Sequence, residues 1–220
     1  MSAIICPCVT PATSDPHVYR EQVERISFAQ RIQIDLMDGL FAPNKNLNPI
    51  QVWWPDQVLA DIHLMYAHPH EQLETLISLS PHLILLHAEA EGDVASYIEH
   101  IQKFGLRAGV ALLADTPVAM THGMIEVADH VMLFSGNLGE FGGTADLALL
   151  EKVAQIRAIN PAVEIGWDGG ATLETVRHLS DGGIDVINVG GAIQRASDPR
   201  RAYEELRSVV ESQDGEAERA

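Results

Sequence analysis

Two aspartates, Asp35 and Asp168, stand at the ends of apolar runs, and each is followed within a few residues by a glycine turn. The segments are Gln33-Ile34-Asp35-Leu36-Met37-Asp38-Gly39 and Trp167-Asp168-Gly169-Gly170. In an extended chain side chains alternate, so Gln33 and Asp35 share one face. Two further runs end in Asp61-Ile62-His63-Leu64-Met65 and His87-Ala88-Glu89. Each segment alone has an ordinary structural reading, because Asp-Gly is commonly a turn and a histidine at a strand end is commonly just hydrogen-bonded. Together they describe a chemistry. Two carboxylates facing each other across a small substrate suit proton removal from one face of a carbon beside a carbonyl and return to the other, which is an epimerisation or isomerisation. The enediolate that develops needs its oxygen stabilised. One divalent cation held by Asp35, His63 and Asp168, with Gln33 as a weak carbonyl ligand, would supply that.

The elements that must position these residues follow from periodicity. Short apolar runs fall near residue 5 and at 31–36, 59–64, 82–87, 107–112, 130–134, 163–167 and 185–189, separated by stretches of helical period. The 220 residues shared among eight such units give about 27.5 each, close to the length of a βα repeat. The reading is α/β, a single-domain (β/α)8 TIM barrel over residues 1–207 with an acidic C-terminal tail at 208–220. Strands two and seven lie three apart around such a ring, so Asp35 and Asp168 face each other across its mouth. A doubly wound open sheet would place a glycine fingerprint after the first strand, where this chain has CPCVTPAT. Pro16 and Pro69 read as first-turn prolines, Thr172–Glu174 as the polar start of a helix, and Gly182-Gly183 as its end.

Three glycine pairs, Gly142-Gly143, Gly169-Gly170 and Gly190-Gly191, follow the last three strands. Loops at these places commonly bind phosphate, since bare backbone amides can approach an anion closely. The net charge of −17, from 14 Lys+Arg against 31 Asp+Glu, argues against nucleic acid and membrane partners. It leaves room for a small phosphorylated substrate if the cradle is made of amides and not of lysine and arginine. Cys6 and Cys8 are too close in one strand to bridge without strain, which points to a reducing, cytoplasmic setting. Lys45, Lys103 and Lys152 fall in a loop and two helices, so an inward Schiff-base lysine is missing. The exposed-looking His68, His70, His100, His122 and His178 read as solvated. Trp53 and Trp54 suit either a homo-oligomer contact or helix packing on the barrel.

Over about residues 3–205 the chain resembles the ribulose-phosphate 3-epimerase family. The resemblance rests on IDLMDGLFAPN at 34–44, DIHLM at 61–65, LLHAEA at 85–90, EFGG at 140–143, WDGG at 167–170 and VGGAI followed by SDP within 189–199. It implies a metal-dependent barrel of carbohydrate metabolism, in the pentose phosphate pathway, that interconverts D-ribulose 5-phosphate and D-xylulose 5-phosphate. The family's alternating acid and base fall on Asp35 and Asp168. Its ligands to one divalent ion (Mn, Fe, Co, Zn or Mg) fall on Asp35, His63, Asp168 and Gln33, its methionine lining on Met37 and Met65, and its phosphate loops on the glycine pairs. The chain departs from the pattern at several points. Gln33 replaces a metal-binding histidine, which shifts preference from zinc toward harder ions. Cys8, placed to touch substrate, replaces a serine; the strand-six loop is rebuilt as NLGEFGG; a third lining methionine is lost, with Ser135 nearest its place; and Gly191 replaces a serine. A hexulose-6-phosphate 3-epimerase and a catalytically silent phosphosugar-binding protein are the alternatives these departures keep open.

Overall fold

The computed structural model describes residues 2–11, 13–139 and 143–212. Eight parallel strands, β1 (Ile4–Val9), β2 (Arg31–Met37), β3 (Leu59–Met65), β4 (Leu83–His87), β5 (Arg107–Leu113), β6 (His130–Phe134), β7 (Glu164–Asp168) and β8 (Val186–Val189), close into a barrel in chain order. The eight-strand reading holds, with boundaries within a residue or so. Helices wrap the outside: α1 (Pro16–Ile26), α2 (Leu73–Leu79), α3 (Val94–Gln102), α4 (His122–Val127), α5 (Glu151–Ile159), α6 (Val176–Asp181), α7 (Gly191–Gln194) and α8 (Pro199–Glu211). The β2–β3 crossover has no α-helix, only a loop and a 3-10 turn at Pro49–Gln51. Helix α8 carries the chain to Glu211, into the segment expected to be tail.

The strands read as nearly continuous apolar runs because both faces are covered. Ile32, Ile34 and Leu36 of β2, and Ala60, Ile62 and Leu64 of β3, point outward into the main core beneath the helices. Their alternates point into the barrel, and the register aligns them in rows: Gln33 beside Asp61, Asp35 beside His63, Met37 beside Met65. Leu83, Leu85, Ala111 and Met132 form an apolar middle layer. Below it lies a charged plug. Arg31 donates to Asp61 at 2.7 Å and makes a bidentate pair with Glu164 at 2.8 and 2.9 Å. Glu164 also accepts from His130 at 2.8 Å and Arg107 at 3.2 Å. Among the described residues the barrel is filled beneath its upper end.

Helix starts follow local chemistry. Asp15, Asp93 and Asp198 cap α1, α3 and α8 through their carboxylates, with Pro16 and Pro199 fitting the first turn. The expected start of α6 at Thr172 is corrected: Thr172–Thr175 form a turn in which the Thr172 amide donates to the Thr175 hydroxyl at 2.9 Å, and the helix begins at Val176. Threonine side chains compete there for amides that a helix would need. Gly182 ends α6 as anticipated.

Candidate active site

At the upper end of the barrel, Gln33, Asp35, His63 and Asp168 meet. The carboxylates of Asp35 and Asp168 and a ring nitrogen of His63 all lie within 4.8 Å of one another. His63 Nδ1 is 3.1 Å from Asp35 Oδ1 and 3.7 Å from Asp168 Oδ2. The Gln33 amide nitrogen bridges the two carboxylates, donating to Asp35 Oδ1 at 2.9 Å and Asp168 Oδ2 at 2.6 Å. Thr10 donates to the other Asp35 oxygen at 2.5 Å. Burial, and then the nearby charge of Asp35, pushes the Asp168 carboxyl up to about 7.

The donor set fits a divalent cation. A nitrogen and carboxylate oxygens converge on one small space, and the buried Gln33 Oε1 has no partner among the described residues. As placed, the amide turns its NH2 toward the carboxylates. Rotation of that amide by half a turn would bring its carbonyl oxygen to the same space and release the two hydrogen bonds.

The backbone of β2 is fixed by a single side chain. Asn46 accepts from the Met37 amide at 2.9 Å and donates to the Asp35 carbonyl at 2.8 Å. Asp38, by contrast, is a turn residue, accepting from the Leu40, Phe41 and Ala67 amides. Asn44 ties this loop to the strand-six loop, donating to the Gly139 carbonyl at 2.7 Å.

The cleft above these residues encloses about 280 Å³, and Cys8, Met65, Gly143, Gly169, Gly170, Gly190 and Gly191 line it with Asp35 and Asp168. Met37 lies beside Met65 in a small apolar cluster at its edge. Gly142 lies outside the described residues. Two glycines are demanded by the fold: Gly169 (φ 110°) and Gly170 (φ 70°) have left-handed backbones, and a Cβ would stand 2.2 Å from the Gly136 amide nitrogen or 2.1 Å from that of Ala145. Gly143 also has a left-handed backbone (φ 104°), but Gly190 and Gly143 differ from that pair in their surroundings. A Cβ there would meet only Cys8 Cβ at 3.9 Å, or nothing within 4 Å, so these positions border open space. Burial raises the Cys8 thiol well above its ordinary range, which leaves it a neutral wall residue.

Several lining residues escape the sequence reading. Where a third lining methionine is lost, with Ser135 nearest its place, the apolar wall comes from Phe134, whose ring centroid is 5.7 Å from that of His63; Ser135 accepts from the Asp146 amide. Arg195, which the reading of a cradle built from amides did not include, also lines the cleft. Its guanidinium carbon lies 3.8 Å from where a Cβ on Gly191 would be. The only available signal was its position just after a glycine-started turn. Lys152 is confirmed away from the site, donating to the carbonyls of Leu113, Ala114 and Thr116. Behind His63 stands His87, with the two Nε2 atoms 2.8 Å apart, and His87 Nδ1 is 3.3 Å from Glu89 Oε2.

Comparison with known proteins gives a consistent picture. The model of the ribulose-phosphate 3 epimerase family matches residues 4–194. The ribulose-phosphate 3-epimerase of Helicobacter pylori (strain ATCC 700392 / 26695) is 30% identical over 200 residues, covering 87% of this chain and 92% of the relative. That of Bacillus subtilis (strain 168) is 30% identical over 188 residues, covering 81% and 86%. Among solved structures, KGPDC from Streptococcus mutans superposes with a TM-score of 0.72 at 10% identity, covering 96% of this chain and 99% of the other. The 3-hexulose-6-phosphate synthase from Salmonella typhimurium gives 0.65 at 14%, covering 96% and 98%. These two structures share the fold alone.

Proposed function

The chain belongs to the ribulose-phosphate 3-epimerase family and is a carbohydrate epimerase, and from that premise we propose that it inverts C3 of a phosphorylated ketose, D-ribulose 5-phosphate giving D-xylulose 5-phosphate. The observation that carries this reading is the pair of carboxylates, Asp35 and Asp168, held with His63 inside one cleft whose other side is glycine backbone. C3 lies next to the C2 carbonyl, so its proton is acidic enough for a carboxylate to remove when the charge left behind is stabilised. In one direction Asp35 takes the C3 proton and Asp168 delivers one to the opposite face; the reverse reaction exchanges the roles.

Asp35, His63 and Asp168 would hold the divalent ion, with Gln33 completing the set after its amide turns. When bound, that ion supplies electrophilic stabilisation of the charge on the substrate's oxygens. Met65 and Phe134 give the reacting carbon an apolar wall that keeps water away from it. The phosphate sits at the open backbone around Gly143, Gly190 and Gly191, where Arg195 adds the one cationic side chain among the described lining residues.

The test is turnover of D-ribulose 5-phosphate by purified protein supplied in turn with Mn, Fe, Co, Zn and Mg, alongside metal content. Epimerisation that depends on one of these ions is expected, with Asp35→Asn and Asp168→Asn each losing about a thousandfold or more in kcat, as expected for removing an essential acid or base. Preference for a hexulose 6-phosphate would move the substrate, not the mechanism. Binding without turnover under every ion would leave a silent phosphosugar-binding protein.

A further inference from the structure

His63 is held from both sides. Its Nδ1 faces Asp35 and Asp168, and its Nε2 faces His87 Nε2 at 2.8 Å. Both rings are fully buried, so neither nitrogen has water as an alternative partner. Two imidazole nitrogens at hydrogen-bond distance require that one carries the proton and the other a lone pair.

Glu89 decides which. Its Oε1 accepts from the Leu113 amide at 3.0 Å and from the Thr116 hydroxyl, and its Oε2 lies 3.3 Å from His87 Nδ1. Leu113 and Thr116 are donors to Oε1, and an ionised carboxylate accepts at both oxygens, which places the proton of a neutral His87 on Nδ1. His87 Nε2 is then the lone-pair side, and His63 Nε2 must donate to it. The consequence passes through the ring: His63 Nδ1 carries a lone pair and points it at two carboxylates. The Gln33 NH2 serves the two carboxylates but not this lone pair, which faces their oxygens unfavourably unless a cation stands between them.

We propose that the Glu89–His87 pair is a positioning device that fixes His63 as its Nε2–H tautomer, aims the Nδ1 lone pair into the Asp35–Asp168 space, and thereby strengthens binding of a divalent ion there. The proposal rests on the metal-site reading given above. Phe41 and Phe134 hold the His87 ring in place, with centroids at 4.6 and 5.8 Å. A carboxylate behind a ligating imidazole is a general way of orienting it and making it more basic, and its loss usually costs about 10–100-fold in metal affinity. Here a second imidazole is interposed, and the carboxylate is anchored on the β5 side of the barrel by Leu113 and Thr116.

The experiment has two parts. Nitrogen-15 correlation spectra of the metal-free wild-type protein, at one pH and with His63 signals assigned by their loss in His63→Gln, are expected to show His63 protonated on Nε2 and bare on Nδ1. Titration with Mn2+, followed by its paramagnetic signal, is expected to give about 10–100-fold weaker binding in His87→Phe and a smaller loss in Glu89→Gln. His63 in His87→Phe should populate both tautomers. An Nδ1–H tautomer in the wild type overturns the proposal without any variant having to fold. So does unchanged Mn2+ affinity in folded His87→Phe and Glu89→Gln. Failure of wild-type protein to bind Mn2+, Co2+, Zn2+ or Mg2+ at all would overturn the metal-site reading as well, which separates the two failures.

Discussion

Residue by residue, the centre of the site follows from alternation along strands. Asp35, His63 and Asp168 sit at strand ends, and the period of two decides that they point inward. Residues whose role comes from a partner on another strand are harder to read. His87 and Glu89 stand adjacent in the sequence to nothing that shows their link to His63, and that link exists only because β3 and β4 are paired. Arg195 is similar, since α7 brings it back over the cleft. If Arg195 serves the phosphate, Arg195→Ala should raise KM for ribulose 5-phosphate about tenfold and leave kcat within about twofold, the size expected for one charge-assisted hydrogen bond at an exposed rim. Steady-state kinetics checks this, and an unchanged KM would return the anion site to backbone amides alone.

At the scale of elements, the charged plug beneath the apolar layer sets how well the barrel's lower end holds. Glu164 joins β7 to Arg31 on β2, Arg107 on β5 and His130 on β6. Burial acts to raise its carboxyl, but hydrogen bonds from His130 and Arg31 outweigh it and hold the group well below the ordinary range. Such a group stabilises the fold above its unfolded value near 4.5, and the contribution is lost as pH falls below that. His82, beside Arg107, is lowered by burial and neighbouring cations from 6.5 to about 4, so its contribution is present above 6.5 and lost as pH falls toward 4. Between pH 6.5 and 4.5 the loss at His82 is opposed by the raised carboxyls of Asp61 and Asp168, so urea unfolding should show the steeper decline in stability below about pH 4.5. Glu164→Gln should cost about 3 kcal/mol at pH 7, because it removes the bidentate partner of the buried Arg31 and leaves Asp61 alone to face that charge, and should flatten the steeper acid limb. The plug was invisible in the sequence because its members come from five strands, whereas the strands themselves were legible from their apolar runs. Helix α6 was read too early because threonines near a helix start resemble caps.

For the molecule as a whole, the count of eight apolar runs in 220 residues was enough to give a closed barrel, and the closure determines the rest. It puts β2 and β7 on opposite sides of one mouth, so two aspartates far apart in the chain become a pair. It also gathers the loops after β6, β7 and β8, where the anion end is proposed, on one side of that mouth. The charge of −17 has a sharper meaning in this frame: the field of the whole chain opposes a sugar phosphate, so the proposed anion end depends on local attraction from open glycine backbone and Arg195. Among the described residues no helix is long and apolar enough to cross a membrane.

The central claim is that two carboxylates on opposite sides of the cleft move a proton at C3. It is tested most directly by running a single turnover of ribulose 5-phosphate in deuterium oxide and reading C3 of the product by NMR and mass spectrometry. Delivery from a second carboxyl that has equilibrated with solvent predicts xylulose 5-phosphate carrying one deuterium at C3, and no labelled product in Asp35→Asn or Asp168→Asn. Product that retains the substrate's own hydrogen at C3, or labelling that persists undiminished in both variants, would contradict it.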